Sequence, residues 1–231
     1  MRILGLDTSG KVASCAVFDT EAGLLLGEHS VYTTRTHSQT MLPMCISLLE
    51  ECGMTEADVD CYAVSVGPGS YTGIRIGIAA VQGMAMVRGV PCIGVSTLEA
   101  MASRILTGEE VVSVMHARND LFYAAVFEGN WRSTEDALVT PAELAGSMCG
   151  VGTLVGDGAE ELLRQLPETG YLMRSKPEYQ IAPPVLRLQS AAGVCQCAAN
   201  YIETHETLPT AADLTASYLQ AVNISKRKDQ S

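Results

Sequence analysis

The sequence is short of positive charge. Fifteen Lys and Arg stand against twenty-six Asp and Glu in 231 residues, a formal net charge of −11. Affinity for a phosphate backbone rests mainly on Lys and Arg. The balance therefore argues against a dedicated DNA- or RNA-binding module, although a partner can still bring the nucleic acid. No segment approaches the roughly 20 apolar residues of a membrane span, and the N-terminal apolar run stops at Asp7, too soon for a secretory signal. The eight cysteines (Cys15, Cys45, Cys52, Cys61, Cys92, Cys149, Cys195 and Cys197) include no Cys-x-x-Cys pair. Several lie in apolar runs, and they read as reduced, mostly buried thiols of a cytoplasmic protein rather than a disulfide or metal framework. His29, His37, His116 and His205 form no His-x-x-x-His or His-Glu-x-x-His pair, so no helix-borne zinc site is expected. There is no Gly-x-Ser-x-Gly elbow for a serine hydrolase.

What is present is a core-forming composition, 47% hydrophobic and 18% charged, which excludes a disordered chain. Apolar runs predict strands at residues 2–7, 14–19 and 24–32, joined by turns at 8–11 and 21–23 into an antiparallel meander. Helical spacing of Met41, Cys45, Leu48, Leu49 and Cys52 predicts a helix over 38–52, ended by Gly53. A strand at 62–66, a helix at 73–88, a strand at 90–95 and a helix at 97–105, capped by Ser96 or Thr97, follow. The second half reads more faintly: strands at 111–116 and 121–128, a helix at 141–148 capped by Thr140, a strand at 154–155, a helix at 159–166 and a helix at 189–203. Residues 226–231 read as a polar tail. A meander followed by alternating helices and strands means α/β with a mixed sheet. The three-strand start is characteristic of ribonuclease-H-like folds, and a second copy would make a two-lobed actin-like molecule. The lobes are expected at 1–105 and 106–231, with the C-terminal segment free to return to the first lobe. No sequence repeat marks the duplication.

Three motifs bear on chemistry. Gly67-Pro68-Gly69-Ser70-Tyr71-Thr72-Gly73 follows a buried strand and opens a helix. Such a loop either cradles an anion on backbone N–H groups or lets a helix pack closely on a sheet. It is neither a P-loop nor Gly-x-Gly-x-x-Gly. Asp7-Thr8-Ser9 puts a carboxylate and hydroxyls at the end of the first strand. That suits the phosphate loop of an actin-like ATPase, or an Asp that caps its own turn. Gly156-Asp157-Gly158 reads as a turn whose Asp caps the next helix. Asp7, Thr8, Ser9, Gly67, Gly69 and Ser70 are thus the candidates for a vestigial nucleotide or anion site. The helices at 38–52 and 73–88 are apolar almost all round, so each is either a central core helix or covered by a partner.

Ile3-Leu4-Gly5-Leu6-Asp7-Thr8-Ser9, His37-Ser38 before a helix containing Leu42-Pro43, the stretch Gly67 to Gly77, and Gly94-Val95-Ser96-Thr97-Leu98-Glu99-Ala100 together resemble the TsaB (YeaZ) family. The resemblance is dense over the first hundred residues or so and thinner beyond. It implies the two-lobed actin-like (ASKHA) fold. It also implies a non-catalytic assembly role beside TsaD in making threonylcarbamoyladenosine (t6A) in tRNA, with TsaE as a further partner and tRNA met only through the complex. No cofactor is implied beyond weak nucleotide binding. In the family the two apolar helices pack on TsaD or on a second copy, which makes Met41, Met44, Cys45, Leu48, Ile74, Ile78, Val81 and Met84 the expected interface. A charge at Ile74, Ile78 or Met84 is then expected to abolish pairing and spare the fold. TsaD carries a metal-binding His pair that falls here on Thr97 and Met101, so no metal site and no catalytic residue are expected, nor any peptidase activity. Two departures leave their positions without an assigned role: His116 stands where the family has Asp, and Gln220 where it has Arg. The rival reading is an active actin-like ATP-dependent phosphotransferase or nucleotide-binding protein, which would need a second phosphate loop.

Overall fold

The computed structural model describes residues 1–33, 36–118, 120–129, 131–166 and 178–219. The first half builds β1 (Arg2–Asp7), β2 (Val12–Asp19), β3 (Leu24–Tyr32), α1 (His37–Glu51), β4 (Cys61–Gly67), α2 (Tyr71–Arg88), β5 (Cys92–Ser96) and α3 (Thr97–Ala102). The second builds β6 (Glu110–His116), β7 (Phe122–Glu128), β8 (Trp131–Arg132), β9 (Ala137–Val139), α4 (Pro141–Ala145), β10 (Val151–Val155), α5 (Ala159–Gln165), β11 (Glu178–Ile181), α6 (Pro184–Arg187) and α7 (Ala191–Thr204).

The duplication that the sequence does not betray is plain in the sheets. The first runs β3-β2-β1-β4-β5 and the second β8-β7-β6-β10-β11, with β9 also pairing β7. In each, the first strand of the unit is antiparallel to the second and parallel to the fourth, and the fourth is parallel to the fifth. This repeated plan is the two-lobed actin-like fold. Central strands such as β1 are buried on both faces, which is why they read as unbroken apolar runs.

The last helix of each unit crosses to the other. Leu98, Met101 and Ala102 of α3 pack in one core with Val111, Met115, Ala125 and Phe127 of the second sheet. Ala191, Val194, Cys195 and Ala198 of α7 pack with Ile3, Ala16, Cys61 and Ile93 of the first. At their crossing the backbones nearly touch: a Cβ on Gly193 would lie 2.0 Å from the Ala100 carbonyl oxygen. The outer face of each sheet is covered by its own pair of helices, α1 and α2 on the first and α4 and α5 on the second.

Several expectations need adjustment. The helix expected over 97–105 stops at Ala102, and that expected over 141–148 stops at Ala145, where Gly146 follows. β8, β9, β11 and α6 were not anticipated; each has four residues or fewer. The tail 226–231 lies outside the described residues.

Candidate functional site

Two loops meet beneath the first lobe: the turn between β1 and β2, and the glycine loop between β4 and α2. The Ser70 N–H donates to the Ser9 carbonyl at 2.7 Å, and the Thr8 hydroxyl donates to the Gly73 carbonyl at 2.7 Å. Asp7, Thr8 and Ser9 have no exposed surface. One Asp7 carboxylate oxygen accepts from the Ser9 N–H (2.9 Å) and the Ser9 hydroxyl (2.6 Å); the other accepts from the Ser65 hydroxyl on β4. The Ser70 hydroxyl accepts from the Gly73 N–H and caps α2. Hence all six candidate anion-site residues are brought together, but their side-chain donors are spent on one another. The glycines explain the rest. A Cβ would meet the Ser9 carbonyl oxygen at 2.3 Å from Gly69 and the Thr8 carbonyl oxygen at 2.0 Å from Gly73. The close-packing reading of the motif is the one the geometry carries.

Burial pushes the Asp7 carboxyl above the usual carboxylate range, against the opposing pull of Ser65, Ser9 and nearby His37. A folded-state value raised above the unfolded one means that the folded chain holds a proton the unfolded chain has released. The stability this contributes is complete below the ordinary carboxylate value and is lost as pH rises through the folded value. Asp19, Glu51, Asp58, Glu143 and Asp213 are shifted down and act in the opposite sense. The effect of Asp7 must therefore be read by difference. Urea unfolding of wild type and Asp7→Asn from about pH 4 upward is expected to show a wild-type advantage that shrinks with rising pH. A difference independent of pH would contradict the raised value.

Beside this knot, the His37 ring Nε2 lies 2.8 Å from the Gly10 carbonyl, while its Nδ1 is buried with no hydrogen-bond partner among the described residues. Gln189 packs against the other side of Gly10 and leaves its buried Nε2 likewise unpaired. Neither residue stood out in the sequence, because their juxtaposition depends on the chain returning near residue 189.

The expected interface needs correcting. Met41, Cys45, Leu48, Ile74, Ile78 and Val81 are buried in the core of the first lobe itself, so none offers a surface; Met44 and Met84 are half-buried against that core. The outward faces of the same helices carry Leu42 and Ile46 on α1, and Met86 and Val87 on α2. The helical spacing identified a buried stripe, and the docking surface lies on its other side.

The remaining candidates fall out simply. Thr97 and Met101 are fully buried in α3. The His116 backbone N–H donates to Asp157 (3.1 Å), so Asp157 ties the 156–158 turn to β6; α5 has no side-chain cap, contrary to expectation. Gln220 lies outside the described residues. All eight cysteines are free, and six are buried. Burial pushes the thiol of Cys92 up to about 11 and those of Cys61 and Cys197 up to about 12, which makes them poor nucleophiles. Among the described residues no three His, Cys, Asp or Glu converge as a metal site, and no helix is long and apolar enough to cross a membrane.

The family model for TsaD, tRNA N6-adenosine threonylcarbamoyltransferase, matches residues 29–222. The tRNA threonylcarbamoyladenosine biosynthesis protein TsaB of Escherichia coli K12 is 32% identical over 185 residues, 75% of this chain and 79% of that protein. The protein of the same name from Bacillus subtilis is 31% identical over 129 residues, 55% of this chain and 56% of that protein. The solved structure of YeaZ from Pseudomonas aeruginosa superposes with a TM-score of 0.78 at 25% identity, covering 94% of this chain and 99% of that one. With the motif order, the duplicated lobes and these relatives in agreement, the chain belongs to the TsaB (YeaZ) family.

Proposed function

We propose that the chain is a non-catalytic subunit of the machinery that makes t6A in tRNA, and that it binds TsaD and holds it in an active arrangement. The observation that carries this reading is the outer face of α1 and α2. Leu42, Ile46, Met86 and Val87 stand in solvent on two helices whose inner faces are already satisfied. Covering such a face yields about 25 cal/mol per Å² of apolar surface removed from water, against the cost of association. TsaE joins the assembled pair, and the free chain can pair with a second copy through the same face. The work is placed in the cytoplasm, where the eight thiols stay reduced. The donor network around Asp7 supports a non-catalytic role, because a phosphate would have to displace bonds the protein makes to itself.

Reconstitution tests this. Cognate TsaD, TsaE and a TsaC-type enzyme are incubated with tRNA, ATP, bicarbonate and labelled threonine, with and without the chain. Label is expected in tRNA only when the chain is present. Equal labelling in its absence would overturn the proposal.

A further inference from the structure

The net charge of −11 hides a strongly uneven distribution. No Asp or Glu occurs in residues 8–18, 29–49, 61–98 or 214–228, although the chain has twenty-six. The fold gathers parts of all four segments. The Ser70 N–H reaches the Ser9 carbonyl, His37 reaches Gly10, and the Ser217 N–H donates to the Val66 carbonyl at 2.8 Å. The rim so formed has a single carboxylate beneath it, Asp7, which is fully buried. Exposed Lys11 and Arg75 stand on this rim, and among the described residues neither has a carboxylate partner. The chain continues past Tyr218 into Lys226-Arg227-Lys228 before its next acid, Asp229.

Two tyrosines stand beside those cations. The Tyr71 and Tyr218 rings lie 5.0 Å apart, tilted by 34°, and each residue keeps 42% of its surface exposed. The Arg75 guanidinium lies 5.0 Å from the Tyr71 ring centre and donates to its hydroxyl at 2.6 Å. Exposed aromatic faces flanked by unpaired cations are how proteins hold unstacked nucleotides: the base stacks and the backbone phosphates meet Lys or Arg.

We propose that this rim is an RNA contact, with an unpaired nucleotide of tRNA stacking against Tyr71 and Tyr218 while Lys11 and Arg75 meet its flanking phosphates. The choice of tRNA rests on the proposed function; the surface itself does not. The site also stands apart from the TsaD-binding face, since Tyr71 and Met86 are separated by about 22 Å along α2.

The test measures tRNA binding to the complex with TsaD, after size-exclusion chromatography has established that the complex forms. Tyr71→Ala/Tyr218→Ala is expected to weaken binding about tenfold. Lys11→Ala/Arg75→Ala should lower the slope of log affinity against log salt by about 1. Arg164→Ala, which removes one exposed cation from α5 in the other lobe, should change neither. A wild-type chain that never joins TsaD overturns the proposed function. A wild-type complex whose tRNA affinity both double variants leave unmoved overturns the RNA contact. So does loss of TsaD binding in the tyrosine variant, which would make the rim a protein contact. Binding of ATP to the chain alone, abolished by the same variant, would assign the rim to a free nucleotide and overturn it too.

Discussion

Gly73→Ala is expected to destabilise the chain by about 3–5 kcal/mol, a drop of about 10 °C in melting temperature for a protein of this size. The new methyl carbon would sit 2.0 Å from the Thr8 carbonyl oxygen, a backbone atom that cannot swing aside like the end of a side chain. Relief requires α2 to retreat from the β1–β2 turn. Retreat breaks the Thr8 hydroxyl bond to Gly73 and the Ser70 N–H bond to Ser9, and it lifts Ile74, which is 1% exposed, out of the core. Overpacking costs about 1–3 kcal/mol and each lost hydrogen bond about 1. The control lies on the same helix. A Cβ at Gly83 meets nothing within 4 Å, so Gly83→Ala should stabilise the chain by up to about 1 kcal/mol through helix propensity alone. Thermal and urea unfolding of the two variants should move in opposite directions. A Gly73→Ala protein as stable as wild type would mean that the two loops are not in contact.

The same contact shows what the sequence could and could not reveal. Both motifs were visible at once, Asp7-Thr8-Ser9 as a strand end and the glycine loop as a helix start, but their meaning was ambiguous. A glycine needed for an anion and a glycine needed for a neighbouring carbonyl leave the same letter in the sequence. Only the arrangement of Thr8 and Gly73 across 65 residues distinguishes them. Local elements were legible wherever a periodic apolar run met a strong boundary. β3 was anticipated at both ends because turn residues precede Leu24 and the polar stretch after Tyr32 stops the alternation. β8, β9 and β11 were not, since two to four residues carry no period. The duplication was invisible for a related reason. Strand order 3-2-1-4-5 can be built by sequences that share no residues, as long as the alternation of strand and helix recurs.

Periodicity has one further blind spot, and it separates two classes of variant. Helical spacing finds the side of a helix that is apolar, but it does not say what that side faces. Ile74 and Ile78 were expected to touch a partner; they are 1% and 8% exposed against the lobe's own sheet. A charge placed there would be buried without a counter-ion, which costs several kcal/mol, so Ile74→Glu should unfold the first lobe rather than yield a folded, unpaired chain. Leu42→Glu/Ile46→Glu acts on the other side of the same layer. Both residues are close to half exposed, so the fold should hold to within about 1 kcal/mol. Two carboxylates at the centre of an apolar contact should weaken TsaD binding at least a hundredfold, since each leaves a buried unpaired charge in the complex. Circular dichroism melts alongside calorimetric titration with TsaD separate the outcomes. A Leu42→Glu/Ile46→Glu protein that folds and still binds TsaD at wild-type affinity removes α1 from the interface. An Ile74→Glu protein that folds normally but no longer binds restores the inner stripe as the docking face, and with it a first lobe open enough to expose its own core.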